Sequence, residues 1–192
     1  MFKTEAIILS VETIRDAHIR IVALSKEYGK ISCWYKKKQF PHDIGDIVFF
    51  TLERTPGINT IKYTESVMSP REESWNYKKI TTFLESLSLM NTLLPEMSPY
   101  LSVFQDYRWL LIHMQSRTTL HDHHYLLFQF RVLRTLGYIG IEGLHDAVVP
   151  LYIFEHVLTT PLNNLLSAKI LKDEDANTIE LASREALYRS TL

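Results

Sequence analysis

The chain has 192 residues, 46% of them hydrophobic, and a formal net charge of −1. That allows one large domain or two small ones with a real core, and it excludes the global basic field of a protein that coats DNA. One cysteine, Cys33, rules out an internal disulfide and a multi-cysteine zinc site, and six glycines leave no room for a glycine-rich phosphate loop. The charge is uneven: residues 1–70 hold ten Lys/Arg against eight Asp/Glu, and the remainder eleven against fourteen. A polyanion should therefore favour the N-terminal part.

The opening MFKTEAIILSVETIRD has a short apolar stretch followed at once by charges, so it does not read as a secretion signal. No run approaches the roughly 18 apolar residues of a membrane span, and a reducing cytoplasm is the expected setting. Thr4 to Val11 is an apolar run of strand length. Ala17 to Ser25 begins with Ile19, Ile21 and Ala23 on one side. Tyr28-Gly29 marks a turn. Gly29 to Lys36 then alternates: Lys30, Ser32, Trp34 and Lys36 on one face, Ile31, Cys33 and Tyr35 on the other. Gly45-Asp46 opens a fourth run, Ile47 to Glu53. Pro56-Gly57 is a turn, and Asn59 to Val67 is the fifth run. Five short strands in about 65 residues predict a small closed barrel, because closure removes exposed edges. The oligonucleotide-binding (OB) barrel is the commonest solution of this size.

At Ser69-Pro70 the period becomes helical. Ser74 is the expected N-cap of a first helix, with Ile80, Phe83, Leu84, Leu87 and Met90 on its apolar face and Pro95 beyond its end. Ser98-Pro99 should start the next helix, which carries Leu101, Phe104, Tyr107, Leu111 and Met114. A third helix spans about Leu120 to Leu136. Its segment from Tyr125 is apolar nearly all round, as a buried helix would be, and Gly137 stands just past its end. Val148 to Leu158 and Asp173 to Tyr188 read as two more. The fold class is thus α+β: a five-stranded OB barrel over 1–70, packed on an all-α domain over 71–192.

Two clusters bear on chemistry. His121 and His124, with Asp122 between them, could share a helix face as metal ligands, but no third ligand follows at a recognisable spacing. The cluster also reads as a polar helix start. Cys33 alternates with Ile31 and Tyr35, which suits a buried small hydrophobe better than a nucleophile. No nucleophile elbow or ordered triad is visible, and Glu72-Glu73 and Asp173-Glu174-Asp175 read as helix starts. The expectation is a protein without catalytic residues, metal or cofactor. The second cluster is Lys30, Trp34 and Lys36 on one strand face, continued by Lys37 and Lys38. Lysines serve phosphates, and Trp34 or its neighbour Tyr35 offers a ring for a base, which is what a single strand requires. The alternative is a solvated strand end with Trp34 in a core.

The stretch TEAIILSVETIRDAHIRIVALSKEYGKI (Thr4 to Ile31) followed by a basic loop resembles the start of the bacterial recombination mediator family RecO. LLFQFRVLRTLGY, Leu126 to Tyr138, is similar to that family's helix ending in a Leu-Leu-x-x-x-Gly-Tyr pattern. The resemblance covers about residues 4 to 140. It implies an OB barrel on a helical domain that binds single- and double-stranded DNA, anneals complementary strands and acts in recombinational DNA repair. It also implies RecR, the tail of single-stranded DNA-binding protein and, indirectly, RecA as partners, in a bacterial cytoplasm at the nucleoid. By position the DNA residues would be Lys30, Lys36, Lys37 and Lys38, with Arg15 in the first turn and Arg20 in the second strand. The chain departs from the family in lacking the four-cysteine zinc site after the Gly-Tyr pattern. It also has Ile19 where a basic residue is expected, and its last 50 residues match poorly. The competing expectation is a protein-interaction adaptor whose barrel has lost direct DNA binding.

Overall fold

A computed structural model describes residues 1–15, 18–36, 39–70, 75–115, 122–139, 157 and 173–190. The backbone packs as two units: Met1–Trp75 with Phe83–Phe104, and Asn76–Thr82 with Gln105–Leu192.

The first unit is built on a closed barrel of five strands: β1 (Phe2–Arg15), β2 (His18–Ser25), β3 (Gly29–Tyr35), β4 (Ile47–Thr55) and β5 (Ile58–Met68). Their order around the barrel is β1-β2-β3-β5-β4. β1 is long enough to serve two neighbours. Its first half pairs with β4, Phe2↔Leu52 to Ile7↔Ile47, and its second half with β2, Ala6↔Ser25 to Arg15↔His18. A register shift between Ile8 and Ser10 accompanies this change of partner, as a bulge bends and twists a strand. Closure is parallel and short: only Cys33↔Asn59 and Trp34↔Thr60 join β3 to β5. Alternate residues fill the interior, among them Ala6, Ile8, Ile21, Ile31, Cys33, Val48, Phe50 and Ile61. Phe40, in the β3–β4 connection, joins this core with its ring 5.1 Å from that of Tyr35.

The outer face is covered in part. Ile7, Leu24 and Ile47 are register neighbours, fully buried yet outside the barrel-core cluster. The first half of β3 lacks a β5 partner on one side, and the chain after the first helix takes that place. Lys30 bridges in parallel to Glu96, and the Met97 amide donates to the Lys30 carbonyl at 3.0 Å. Gly29 has φ +74, and a Cβ there would lie 2.1 Å from the Ser98 carbonyl oxygen. The β2–β3 turn therefore needs glycine twice, for its left-handed backbone and for the close approach of that segment.

Four helices are described: α1 (Tyr77–Leu93), α2 (Leu101–Gln115), α3 (Asp122–Thr135) and α4 (Asp173–Ser190). Three details differ from the sequence reading. The cap of α1 is Asn76, whose Oδ1 accepts from the Lys79 amide at 3.0 Å; Ser74 lies outside the described residues. The buried face of α1 runs through Phe83, Ser86, Leu87 and Met90, while Ile80 and Leu84 are 43% and 47% exposed. α2 begins at Leu101 rather than at Pro99, with the Tyr100 carbonyl accepting its first bond from Phe104. The expected helix Val148 to Leu158 lies outside the described residues except for Val157, which is helical and buried.

In the second unit α3 is buried through Leu127, Phe128, Phe130, Val132 and Leu133, with even Gln129 covered. It ends as the Gly137 position predicts. Gly137 has φ 80, the Tyr138 amide donates to Leu133 and the Gly137 amide to Arg134, the two bonds that satisfy the last carbonyls of a helix. Arg131 ties α3 to α2, donating to Asp106 through Nε at 2.7 Å and Nη2 at 3.2 Å, and it also donates to the Val157 carbonyl. Burial pushes the Asp106 carboxyl above its ordinary value, and Arg131 opposes that rise by hydrogen bond and charge. No described helix is long and apolar enough to cross a membrane.

Candidate nucleic-acid interface

Alternation in β3 puts Ile31, Cys33 and Tyr35 inside and Lys30, Ser32 and Trp34 outside, half-buried. Cys33 is fully buried, and burial pushes its thiol up to about 12, so it is a core residue with no thiolate at neutral pH. Tyr35 is also in the core, which leaves Trp34 as the ring available to a base.

Cross-strand register assembles the rest of the face. Arg20 is paired with Trp34 across β2–β3, and Thr60 with Trp34 across β3–β5. The exposed His18 ring meets Trp34 edge-on, centroids 6.5 Å apart at 74°. Arg20 Nε donates to Ser32 Oγ at 3.0 Å, which lays the guanidinium along the sheet, and its Nη1 is 3.8 Å from Glu12. Asn59 Nδ2 reaches the Ser32 carbonyl at 3.3 Å. An indole, an imidazole and a guanidinium thus occupy one patch of sheet.

Lys36 is exposed just beyond β3. Its charge reaches Glu53, whose carboxyl is held below its ordinary value chiefly by the Lys62 hydrogen bond and charge, and less by Lys36. Lys62 Nζ lies 2.6 Å from Glu53. Lys36 and Lys62 thus both act on the Glu53 carboxylate. Arg54, next in β4, is also exposed.

Lys30 is placed differently from Lys36. Its Nζ donates to the Asn91 carbonyl at 2.9 Å, in the last turn of α1, so its charge is spent largely on a helix C-terminus. Arg15 ends β1 opposite His18. The Arg15 side chain and the residues Lys37 and Lys38 lie outside what the structure describes. Of the sequence candidates, Arg20, Trp34 and Lys36 are thus gathered at one end of the β2–β3 face. His18 joins them through its ring contact with Trp34, and Lys62 acts with Lys36 on Glu53, although neither stood out in the sequence.

The β3–β4 connection is pinned near this end. His42 Nε2 and Thr64 Oγ1 are 2.6 Å apart, and His42 Nδ1 lies 3.8 Å from Asp46. Asp46 accepts from Ser69 Oγ at 2.8 Å and from the Asp43 amide at 2.9 Å. Burial raises the Asp46 carboxyl, while Ser69 and His42 pull it down. The hydroxyl–imidazole–carboxylate order is that of an activated nucleophile, but the 3.8 Å gap exceeds a hydrogen bond and Asp46 is committed to the loop backbone. The arrangement locks a connection.

The histidine cluster is described only in part. His121 lies outside the described residues, and His124 is buried with its ring edge-on to His113, centroids 6.0 Å apart. Among the described residues no group of three or more His, Cys, Asp or Glu side chains could hold a metal ion.

Compared with known proteins, the chain matches no family model and no curated protein in sequence.

Proposed function

We propose that this protein binds single-stranded nucleic acid on the outer β2–β3 face of an OB barrel, and that it serves as a RecO-like mediator of recombinational DNA repair. The observation that carries the binding reading is the patch in which Trp34 has His18 and Arg20 of β2 as neighbours, with Lys36 just beyond β3. A ring takes a base and flanking cations take phosphates. The strand order β1-β2-β3-β5-β4 with parallel β3–β5 closure favours the OB reading, since strands 2 and 3 and the adjoining loops are where such barrels bind oligonucleotides. The mediator role rests on the resemblance of Thr4 to Ile31 and Leu126 to Tyr138, together with its RecR, RecA and single-stranded DNA-binding protein partners. Annealing needs no catalytic group, only two backbones held close with their repulsion screened.

The adaptor reading has one observation in its favour: Arg20 and Lys62 each have a carboxylate neighbour, Glu12 and Glu53. Fluorescence anisotropy of a labelled single-stranded oligonucleotide over a salt series separates the two. Trp34→Ala should weaken binding by about 5- to 100-fold with the salt slope kept. Lys36→Ala/Lys37→Ala/Lys38→Ala should flatten the slope by about 0.7 for each phosphate that these lysines neutralise in the wild type. No binding by the wild type at low salt overturns the nucleic-acid reading in favour of the adaptor.

A further inference from the structure

We infer that the outer face of β1, β4 and β5 is a docking surface for a second copy of this chain, and that two barrels pair through it about a twofold axis. The pairing itself does not rest on the strand-binding reading above; its consequence for annealing does.

A bulge makes the face. Ile61 of β5 packs in the barrel core opposite Leu52. Strict alternation would send Tyr63 inward after it. The register shift between Thr51 and Leu52 leaves Lys62 as the extra residue, and Tyr63 comes out opposite Thr51, 60% exposed. A bulge re-aims side chains in this way. Phe49, between the buried Val48 and Phe50 of β4, also points outward and is 43% exposed. Phe49 is paired with Glu65 and Thr51 with Tyr63, so the two rings are diagonal neighbours on one face, within reach of each other. Uncovered aromatic rings in the middle of a sheet face, with polar residues at its edge, are what a protein contact offers.

Charge selects the occupant. Register completes the face with Lys3, paired with Thr51, and Glu5, paired with Phe49. Glu5 is buried and lies 4.0 Å from Lys26, so it takes no part. At the margin Lys62 and Glu53 serve each other. The rows that hold the two rings are left with one exposed cation, Lys3, and one exposed carboxylate, Glu65. One charge of each sign gives a polyanion no net attraction, which disfavours a nucleic-acid strand here. It suits a surface that must match itself. Lys3 and Glu65 stand at opposite corners, on the two strands that flank β4 and one two-residue step apart. A twofold axis in the contact plane, perpendicular to the line that joins them, sets Lys3 of each copy over Glu65 of the other. With strands about 4.8 Å apart, Phe49 and Tyr63 then lie close to the axis, and the rings of the two copies meet across it.

The strand order gives the pairing its consequence. β4 has β1 and β5 as neighbours, and β2 and β3 complete the far side of the barrel. Two barrels joined through β4 keep both β2–β3 faces free. On the strand-binding reading one particle then holds two strands, as annealing requires.

The test is sedimentation velocity of the full-length protein from about 1 μM to about 1 mM, a range that covers weak, small interfaces. The mass should rise from 22.5 kDa toward twice that value. Phe49→Ser and Tyr63→Ser, both at exposed positions, should each raise the dimer dissociation constant about 10-fold or more. Lys3→Glu or Glu65→Lys alone should raise it about 3- to 30-fold, and the two together should restore it, because the reversed pair is again complementary. That restoration separates a lost contact from a folding defect. A wild type that stays monomeric throughout overturns the pairing; if Tyr63→Ser then weakens oligonucleotide binding, the face is a second strand platform instead. A dimer that survives both serine substitutions, or charge reversals that do not restore each other, overturns this face as the interface. Oligonucleotide anisotropy on the same samples reads the strand face separately: a dimer that binds no oligonucleotide keeps the pairing and overturns the strand-binding reading.

Discussion

Lys30 lies on the outer face of β3 and Lys36 just beyond its end, and they differ in what lies opposite. Lys30 donates to the Asn91 carbonyl at 2.9 Å, and Lys36 projects beyond the strand end. A hydrogen bond from a charged donor contributes about 1.5–3 kcal/mol. Lys30→Ala should therefore lower the stability of the first unit by about that amount in urea unfolding. It should leave the salt slope of oligonucleotide binding unchanged. A reduced slope with unchanged stability would place Lys30 among the phosphate contacts. The alternation Lys30–Lys36 was legible from the sequence because the side-chain period of a strand is two. The division of labour was not, since the partner of Lys30 is 61 residues away.

Among the elements, the β2–β3 turn carries the tightest constraint. At Gly29 any side chain meets a left-handed backbone, which costs about 1–2 kcal/mol, and a Cβ placed 2.1 Å from the Ser98 carbonyl oxygen. Gly29→Ala should cost at least about 2 kcal/mol in chemical unfolding. It should also weaken the Met97–Lys30 backbone bond, read as faster amide exchange at Met97. A neutral Gly29→Ala would mean that the 95–98 segment does not sit on the turn. The elements themselves were largely readable. Alternation marked β2, β3 and β5, an apolar run marked β1, turn residues opened β4, and the Gly137 end of α3 followed from its left-handed C-terminal residue. What failed was local to α1. Ser86 is fully buried while Ile80 and Leu84 are exposed. A helical period identifies an apolar stripe, but its exact angle depends on what packs there.

On the scale of the whole molecule, each unit buries a carboxylate that is raised by desolvation, Asp46 in the first and Asp106 in the second. A carboxyl with a higher pKa folded than unfolded adds stability that is full below its unfolded value and is lost as pH rises through the folded one. Arg131→Met removes the pull that limits the rise at Asp106. The variant should lose about 3–5 kcal/mol near neutrality, the usual result of stranding one member of a buried pair. Its deficit should narrow as pH falls and Asp106 takes up a proton. Urea unfolding at neutral and mildly acidic pH checks the sign: a deficit that widens toward acid would mean that Asp106 is not the stranded group.

The sequence by itself determined the strand set, the change to helices near residue 70 and the sides of β3 that face in and out. These follow from side-chain period, turn residues and the need to leave no open sheet edge. Tertiary structure decided which part of the outer face is free. The Glu96–Met97 segment and the end of α1 take up Lys30, while Trp34 keeps His18 and Arg20 as neighbours. It also decided that the barrel closes through two residue pairs and that Phe40, from the β3–β4 connection, joins its core. Periodicity assigns a residue to a face, but covering that face requires contacts between segments far apart in the chain, and no local pattern records them.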